Sequence, residues 1–213
     1  VLLVGGPRSG ADGIPLAGGA VVEVNGSNFH PSDVVTVVTG PMYHSGPLAF
    51  VSLNHSAGAP IVVLRRFDPV AWLDAVKEYA VTNTFSAPTQ LKRIVSLPDD
   101  VLARADCSSM RCLIANAAPV PYALKQEVIA KLGDGFLYEV YGSTELGVVT
   151  VLPPADQLRK PGSCGRPYGA IEVRIVADDG RDAPVGTPGE LFIRTSLEMD
   201  VKTEFFSVPT TAA

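Results

Sequence analysis

Short β-branched runs alternate with segments of helical periodicity between residues 33 and 150, and this alternation constrains the fold more than any other feature. Residues 34–38 are apolar or β-branched at every position, as expected for a strand that is buried on both faces. Behind Asp68 and Pro69, which favour the start of a helix, apolar side chains including Trp72 recur at helical spacing. Strands that alternate with helices of this length form βαβ units. The sequence therefore predicts an α/β fold with a mostly parallel sheet and flanking helices.

The elements of this pattern can be placed along the chain. The predicted strands lie at residues 34–38, 61–64, 82–86, 111–115 and 136–140, with weaker candidates at 1–4 and 20–24. The predicted helices begin near Asp68, Ala87 and Pro121. Residues 40–47 are predicted to form a turn-rich loop. Glu127 and Lys131 have the i, i+4 spacing of an ion pair on the exposed side of the last helix.

The helical pattern ends near residue 151, after which Pro-rich loops and short strands remain. Strands are predicted at 171–176 and 190–195 with a turn at 177–180 between them, so this part is expected to be a small antiparallel unit. The chain thus divides into four segments. They are a poorly assigned Gly-rich lead at 1–32, an α/β subdomain at 33–150, a partial β-rich subdomain at 151–195 and an unassigned tail at 196–213.

Charge and cysteine content exclude several classes of protein. Lys and Arg total 17 against 22 Asp and Glu, a net charge of −5, and no basic cluster of the kind that binds nucleic acid is present. The three cysteines are scattered, which excludes a disulfide framework or a zinc site by spacing, and Cys164 is interpreted as a small packed residue. No apolar run reaches the length of a transmembrane segment. We therefore expect a cytoplasmic protein that binds no nucleic acid; the sequence leaves its oligomeric state open.

Three loops that follow predicted strands carry residue types suited to ligand binding, at 41–47, 116–119 and 141–147. In an open parallel sheet, ligands bind outside the carboxyl ends of the strands. The third loop is the most informative, because Tyr, Gly, Ser, Thr and Glu follow each other at 141–145. An aromatic ring stacks on nucleobases, hydroxyls donate to phosphate oxygens, and a carboxylate can hold Mg²⁺. The same residues also suit an ordinary turn with a solvated Glu, so this loop by itself leaves both interpretations open.

Residues 141–145 resemble the Tyr-Gly-x-Thr-Glu signature of the adenylate-forming enzymes, a family that includes acyl-CoA synthetases, luciferases and peptide-synthetase adenylation domains. Three further stretches are similar to segments of that family and occur in the same order. Residues 41–46 resemble the Pro-Leu-x-His segment, and residues 117–121 resemble the Gly-Ala-Pro-Leu-x loop. Residues 162–167 and 189–194 resemble the Gly-x-x-Gly-x-Pro and Gly-Glu-Leu segments of the family's following β-rich subdomain.

The resemblance implies a role for each residue of the signature. Tyr141 would pack on adenine, with Gly142 and Ser143 in the same nucleotide-binding segment. Thr144 would contact the adenylate phosphate and Glu145 would bind Mg²⁺, which makes these two the implied catalytic residues.

Two other loops have implied roles as well. The residues that would border the adenine ring are Ala117, Ala118 and Pro119. His44 and Gly46 would line the tunnel for the acyl group and for the pantetheine of coenzyme A. Apolar side chains expected around this tunnel indicate an apolar acid as substrate; they are Met42, Leu48, Phe50 and Phe85.

By this resemblance the protein is expected to be an ATP-dependent acid–CoA ligase, similar to fatty acyl-CoA synthetases. It would activate a carboxylic acid through an acyl-adenylate and use ATP, AMP, Mg²⁺ and coenzyme A. The alternatives are a catalytically inactive nucleotide- or acyl-binding remnant, and an adenylation domain that loads a carrier protein. Residues 5–10 lack the Thr cluster and Lys of the family's phosphate loop, and nothing after Thr195 resembles its C-terminal catalytic Lys segment. The resemblance therefore implies the central part of a longer enzyme's large N-terminal domain.

Overall fold

The computed structural model describes residues 34–56, 58–169 and 171–194, together with the backbone of three short strands outside these ranges. The chain forms two compact units, which are described separately. The first combines Val1–Glu139 with Leu152–Ser163, and the second combines Val140–Val151 with Cys164–Ala213. Residues 140–151 therefore belong to the second unit, whereas the sequence pattern groups them with the α/β segment.

The first unit is an α/β structure. Its elements in chain order are β1 (Leu2–Gly5), β2 (Val22–Glu23), β3 (Thr36–Val38), α1 (Ser45–Ser56), β4 (Ile61–Val63), α2 (Pro69–Glu78), β5 (Asn83–Ser86), α3 (Pro88–Val95), α4 (Asp99–Leu102), β6 (Cys112–Ala115), α5 (Tyr122–Leu132) and the first part of β7 (Leu137–Ser143). The strand order is β2-β1-β4-β3-β5-β6-β7. The strands from β3 to β7 pair in parallel, β1 runs antiparallel to its neighbour β4, and β2 pairs parallel with β1. The predicted α/β fold with a mostly parallel sheet and flanking helices is confirmed.

The chain reverses its direction across the sheet at β3. From β3 it passes through α1 to β4 on one side, and then through α2 to β5 on the other side. Because such crossovers are right-handed, α1 covers one face of the sheet, and α2, α3 and α5 form a layer on the opposite face. The carboxyl ends of β3 and β5 therefore flank a topological switch point, which is where open α/β sheets leave a crevice for ligands.

The main core lies between the sheet and the layer formed by α2, α3 and α5. Trp72, Leu91, Ile94 and Leu113 have 0% of their surface exposed. Burying an apolar side chain of this size stabilises the fold by about 2 kcal/mol. The apolar face predicted for α2 from its spacing is therefore the face that the structure buries.

Helix α2 begins where the sequence predicts. The Asp68 carboxylate accepts hydrogen bonds from the N–H groups of Val70 and Ala71, at 3.0 and 2.9 Å. Pro69 follows as the first helical residue, where its missing N–H leaves no hydrogen bond unmade. A cap of this kind contributes about 1 kcal/mol to stability.

Two local predictions for the first unit are wrong. Residues 40–47 do not form a continuous loop, because α1 begins at Ser45; Pro47 lies in the first helical turn, which tolerates proline. Glu127 and Lys131 do not pair with each other. Glu127 instead binds Lys92 of α3 at 2.7 Å, and the Lys131 ammonium donates to the carbonyl oxygen of Val95 at 2.7 Å. Both side chains of α5 thus link that helix to α3.

The second unit is built from β-strands. It contains the end of β7, followed by β8 (Gly147–Leu152), β9 (Arg166–Pro167), β10 (Glu172–Val176), β11 (Glu190–Arg194) and β12 (Phe206–Val208). Strands β10, β11 and β12 form an antiparallel sheet, and β8 pairs antiparallel with β9. The predicted antiparallel pairing of residues 171–176 with 190–195 is confirmed, while β8, β9 and β12 are additional strands. Cys164 is exposed, which corrects its interpretation as a packed residue.

Helix length bears on membrane insertion. Across the parts of the chain that the structure describes, every helix is too short or too polar to cross a bilayer.

Candidate functional site

An aromatic cluster lies at the switch point of the first unit. The ring centroids of His44 and Phe85 are 6.1 Å apart, and Phe50 approaches Phe85 edge-on at the same distance. A Cβ atom added to Gly46 would lie 2.5 Å from the Phe85 ring, so only glycine permits this approach of α1 to β5. The structure therefore brings together His44 and Gly46, the two residues that the sequence assigns to the acyl tunnel.

The His44 ring has a defined hydrogen bond. Its Nδ1 atom accepts from the backbone N–H of Gly46 at 3.2 Å, so a neutral His44 carries its proton on Nε2. The side chain is exposed and can contact a ligand. Met42 and Leu48, also expected around the tunnel, are 50% and 47% exposed. The apolar surface near His44 is thus open in the described structure.

Gln90 joins the two loops at the switch point. Its side-chain oxygen accepts from the N–H of Ala87 at 3.0 Å, and its side-chain NH₂ donates to the hydroxyl of Thr39 at 3.2 Å. The sequence analysis missed this residue. The available signal was its position three residues after Ala87, where Gln satisfies the first free N–H of a helix.

The loop after β6 contains the three residues assigned to adenine. Ala117, Ala118 and Pro119 are all exposed. Ala117 has a φ of 74°, in the left-handed region that favours glycine. The Gly-Ala-Pro-Leu-x loop that residues 117–121 resemble has Gly at the position of Ala117. Glycine adopts this conformation without strain, which gives a physical reason for glycine there. The loop ends at the buried Val120, whose N–H donates to the Glu139 carboxylate at 3.1 Å.

In the second unit, residues 141–147 form a tight hairpin rather than the predicted loop. Tyr141, Gly142 and Ser143 continue β7, and β8 begins at Gly147. A Cβ atom at Gly142 would collide with the carbonyl oxygen of Gly147, so a side chain there would force the two strands apart. Gly147 itself has a φ of 68°, which also favours glycine. The hairpin thus depends on both glycines.

The tip of this hairpin presents Thr144 and Glu145, which are both exposed. A hydrogen bond from its own backbone N–H and a second from the Ser143 hydroxyl lower the pKa of the Glu145 carboxyl below its usual value. Ser143 in turn accepts from the N–H of Leu146 at 3.3 Å, which closes the turn. Glu145 is therefore ionised at neutral pH and supplies the hard oxygen atoms that Mg²⁺ prefers.

A magnesium ion at Glu145 would take most of its ligands from elsewhere. No group of three or more His, Cys, Asp or Glu side chains converges on one point within the described ranges. Mg²⁺ commonly binds through one or two carboxylates together with substrate phosphates and water. A single exposed carboxylate at a hairpin tip fits that mode of binding.

Tyr141 has a packing role in addition to any ligand role. Its ring packs against a small core formed by Leu146, Val149 and Ile193. Burial, and to a lesser extent the charge of Cys164, raises the pKa of the Tyr141 hydroxyl. The remaining surface of the half-buried ring is the part that could stack on a base.

Some predicted features fall outside the described residues. Residues 6–10, the main part of the segment considered as a phosphate loop, are among them, as is most of the tail at 196–213.

Known proteins are similar to this chain in sequence. The sequence profile of the AMP-binding enzyme family matches residues 16–200. An indoleacetate–CoA ligase of Aromatoleum aromaticum is 35% identical over 87% of this chain and 38% of its own length. A 4-coumarate–CoA ligase of Oryza sativa subsp. japonica is 36% identical over 82% of this chain and 33% of its own length.

A solved structure of low sequence identity has the same fold. The amide bond synthetase McbA of Marinactinospora thermotolerans superposes with a TM-score of 0.71 and 26% identity, over 79% of this chain and 34% of that one. The chain spans between 33% and 38% of the length of the two curated relatives described above. The profile match covers most of the chain, and the chain therefore belongs to the AMP-binding enzyme family of adenylate-forming enzymes.

Proposed function

We propose that this chain is part of an AMP-forming acid–CoA ligase. The observation that carries the proposal is the glycine-dependent hairpin that presents Thr144 and the ionised Glu145 at its tip, three and four residues after Tyr141. The order of these residues is the family's signature, and the two similar ligases named above support CoA as the acceptor.

The reaction has two steps. A carboxylate oxygen of the acid attacks the α-phosphorus of ATP, the bond to pyrophosphate breaks, and an acyl-adenylate forms. The thiolate sulfur of CoA then attacks the acyl carbon, and AMP leaves. Both steps depend on positioning and on stabilising negative charge at the phosphates.

The residues of this chain would contribute to that stabilisation in different ways. The Thr144 hydroxyl would donate to a phosphate oxygen, and Glu145 would hold Mg²⁺, which neutralises phosphate charge when bound. The free surface of the Tyr141 ring would stack on adenine. Ala117, Ala118 and Pro119 would border the base, since all three are exposed at the end of a parallel strand.

An aryl carboxylic acid is the substrate class that we favour over a straight-chain fatty acid. The exposed His44 ring, Phe50 and Phe85 form an aromatic cluster at the switch point. Aromatic rings prefer tilted or edge-on partners at such distances, so a ring substrate would gain about 1 kcal/mol beyond its buried area. The acids named in the two similar ligases, indoleacetate and 4-coumarate, are also aromatic.

Acid-dependent exchange of pyrophosphate into ATP tests this function. The enzyme that contains this chain should exchange with aryl acetic and aryl propenoic acids, and mass spectrometry should detect a CoA thioester as product. Faster exchange with fatty acids would overturn the substrate class but leave the ligase assignment. A thioester formed only on the phosphopantetheine of a carrier protein would favour the carrier-loading alternative. Absence of exchange with every acid would contradict the proposed function.

A further inference from the structure

A buried ion pair lies beneath the loop that carries Ala117. Lys125 is only 2% exposed and Glu139 only 8% exposed, and the Lys125 ammonium contacts the Oε2 atom of Glu139. Lys125 lies in the first turn of α5, and Glu139 lies in β7 two residues before Tyr141. The sequence analysis identified neither residue.

The ion pair between Lys125 and Glu139 is not expected to add much to the stability of the fold by itself. Removing two charges from water costs several kcal/mol per ion, and well-packed apolar residues often serve a buried site equally well or better. The positive charge also lies near the N-terminus of a helix, where the helix dipole disfavours a cation. The location of Lys125 therefore calls for an explanation other than packing.

The second oxygen of Glu139 supplies that explanation. Its Oε1 atom accepts the hydrogen bond from the backbone N–H of Val120, at 3.1 Å. Val120 is 7% exposed, so without Glu139 this N–H would be buried with no partner on that side, which is unfavourable for a backbone donor. Lys125 pairs with the other oxygen of the same carboxylate.

The bond anchors one end of a strained loop. Ala117 holds a φ of 74°, and such a conformation persists only where its surroundings fix it. At the other end, the N–H of Asn116 donates to the carbonyl oxygen of Ser86 at 3.3 Å. The exposed residues 117–119 therefore lie between two hydrogen-bonded N–H groups, that of Asn116 before them and that of Val120 after them. The Glu139 side chain accepts the second of these bonds.

We propose that Glu139 is a positioning residue that fixes the loop at 117–120 in the conformation that receives the adenine ring, with Lys125 as its buried charge partner. The inference rests on the proposed function, because the loop's adenine role comes from there. The carboxylate positions the loop through the Val120 N–H, and the Lys125 ammonium pairs with the other oxygen of that carboxylate.

Two double variants separate this role from simple stability. Lys125→Met with Glu139→Gln removes both charges but keeps an oxygen that accepts from Val120. Lys125→Met with Glu139→Leu removes both charges and the acceptor. Both avoid the unpaired buried charge that a single substitution at Lys125 would leave. The readouts are the amide hydrogen exchange rate of Val120, the affinity for AMP by calorimetry, and global stability in urea.

The Gln-containing variant should match the native protein closely in exchange rate and AMP affinity. The Leu-containing variant should remain folded by urea unfolding, but it should exchange the Val120 amide about tenfold faster and bind AMP about tenfold more weakly, as expected for one lost hydrogen bond. Equal exchange rates of the Val120 amide in the two variants would overturn the inference. If the native protein binds AMP, equal AMP affinities of the two variants would also overturn it.

The two readouts also separate this inference from the proposed function. If the native protein does not bind AMP, the proposed function and the adenine role fail, whereas a difference in Val120 exchange would still show that the acceptor at position 139 holds the loop. If either double variant fails to fold, Glu139→Asp serves instead, because it keeps the charge but shortens the reach by one methylene. Glu139→Asp should accelerate exchange at Val120, and an unchanged rate would overturn the inference.

Discussion

The side-chain amide of Gln90 donates to both the carbonyl oxygen and the hydroxyl of Thr39, at 3.4 and 3.2 Å, across 51 residues of sequence. Its oxygen accepts from the N–H of Ala87 at 3.0 Å. One side chain therefore connects the end of β3 to the start of α3. His44 lies in the segment between β3 and α1, and Phe85 lies near the end of β5. This connection therefore helps to fix the position of His44 relative to Phe85 in the aromatic cluster.

Substitutions of Gln90 should weaken the fold in proportion to the hydrogen bonds lost. Gln90→Leu removes the contacts to both Ala87 and Thr39 and should lower the free energy of unfolding by about 2 kcal/mol. Gln90→Glu keeps an acceptor for Ala87 but cannot donate to Thr39, so it should cost about half as much. Urea unfolding measures both; a Glu variant as stable as the native protein would show that the Thr39 contact contributes nothing.

Replacing Ala117 by glycine should stabilise the fold, although an alanine-to-glycine substitution usually destabilises a protein. The φ of 74° strains alanine but not glycine, and the exposed side chain loses no packing. We expect Ala117→Gly to raise the free energy of unfolding by about 0.5 kcal/mol. Ala118→Gly is the matched control, because it adds the same freedom to the unfolded chain without relieving strain. Equal destabilisation by both substitutions would contradict the strain at Ala117.

The Tyr141 ring should matter for nucleotide binding separately from its packing. Tyr141→Leu keeps an apolar side chain against Val149 and Ile193 but removes the aromatic face. It should weaken AMP binding about tenfold in calorimetry, since stacking on a base contributes about 1–3 kcal/mol. Tyr141→Phe keeps the ring and should bind AMP nearly as the native protein does. Equal loss in both variants would assign the effect to the hydroxyl and not to stacking.

The three cysteines should differ sharply in reactivity. Burial raises the pKa of the Cys107 thiol to about 11, with a smaller contribution from Asp106, and burial also raises the pKa of Cys112. Because a raised pKa keeps these thiols protonated, neither should form much thiolate at pH 8. Cys164 is exposed and should be alkylated first. Peptide mass spectrometry after brief treatment with iodoacetamide measures the order, and early modification of Cys107 would contradict its burial.

Local features of the fold were predictable from sequence, because their causes are local. Asp68 and Pro69 start α2 through contacts within three residues, and the β-branched run around Val37 specifies a buried strand. Helix α1 escaped prediction because Gly46 and Pro47 suit both a turn and the first turn of a helix. Gly46 is required because it packs closely against Phe85, and this contact is known only from the folded structure.

The candidate site was predictable only where one segment carries it. The signature at 141–145 is contiguous, so its residue types could be recognised, but its hairpin geometry depends on Gly142 meeting Gly147 across the strands. Glu139 and Gln90 act on partners 19 and 51 residues away, at Val120 and Thr39. No periodicity or short motif specifies such contacts, because they arise from the order of strands in the sheet.

Glu145 tests the central claim most directly, because it is exposed and contributes little to folding. Glu145→Gln keeps the size of the side chain but removes its charge, and Asp178→Asn removes an exposed turn charge elsewhere in the second unit as a control. The measurement is calorimetric titration of each protein with AMP and with ATP, with and without Mg²⁺. Glu145→Gln should weaken Mg²⁺-dependent ATP binding by about tenfold or more, because a neutral amide is a poor ligand for this ion, and should leave AMP binding nearly unchanged. Unchanged Mg²⁺-dependent binding in Glu145→Gln, or an equal loss of AMP and ATP binding, would contradict the account.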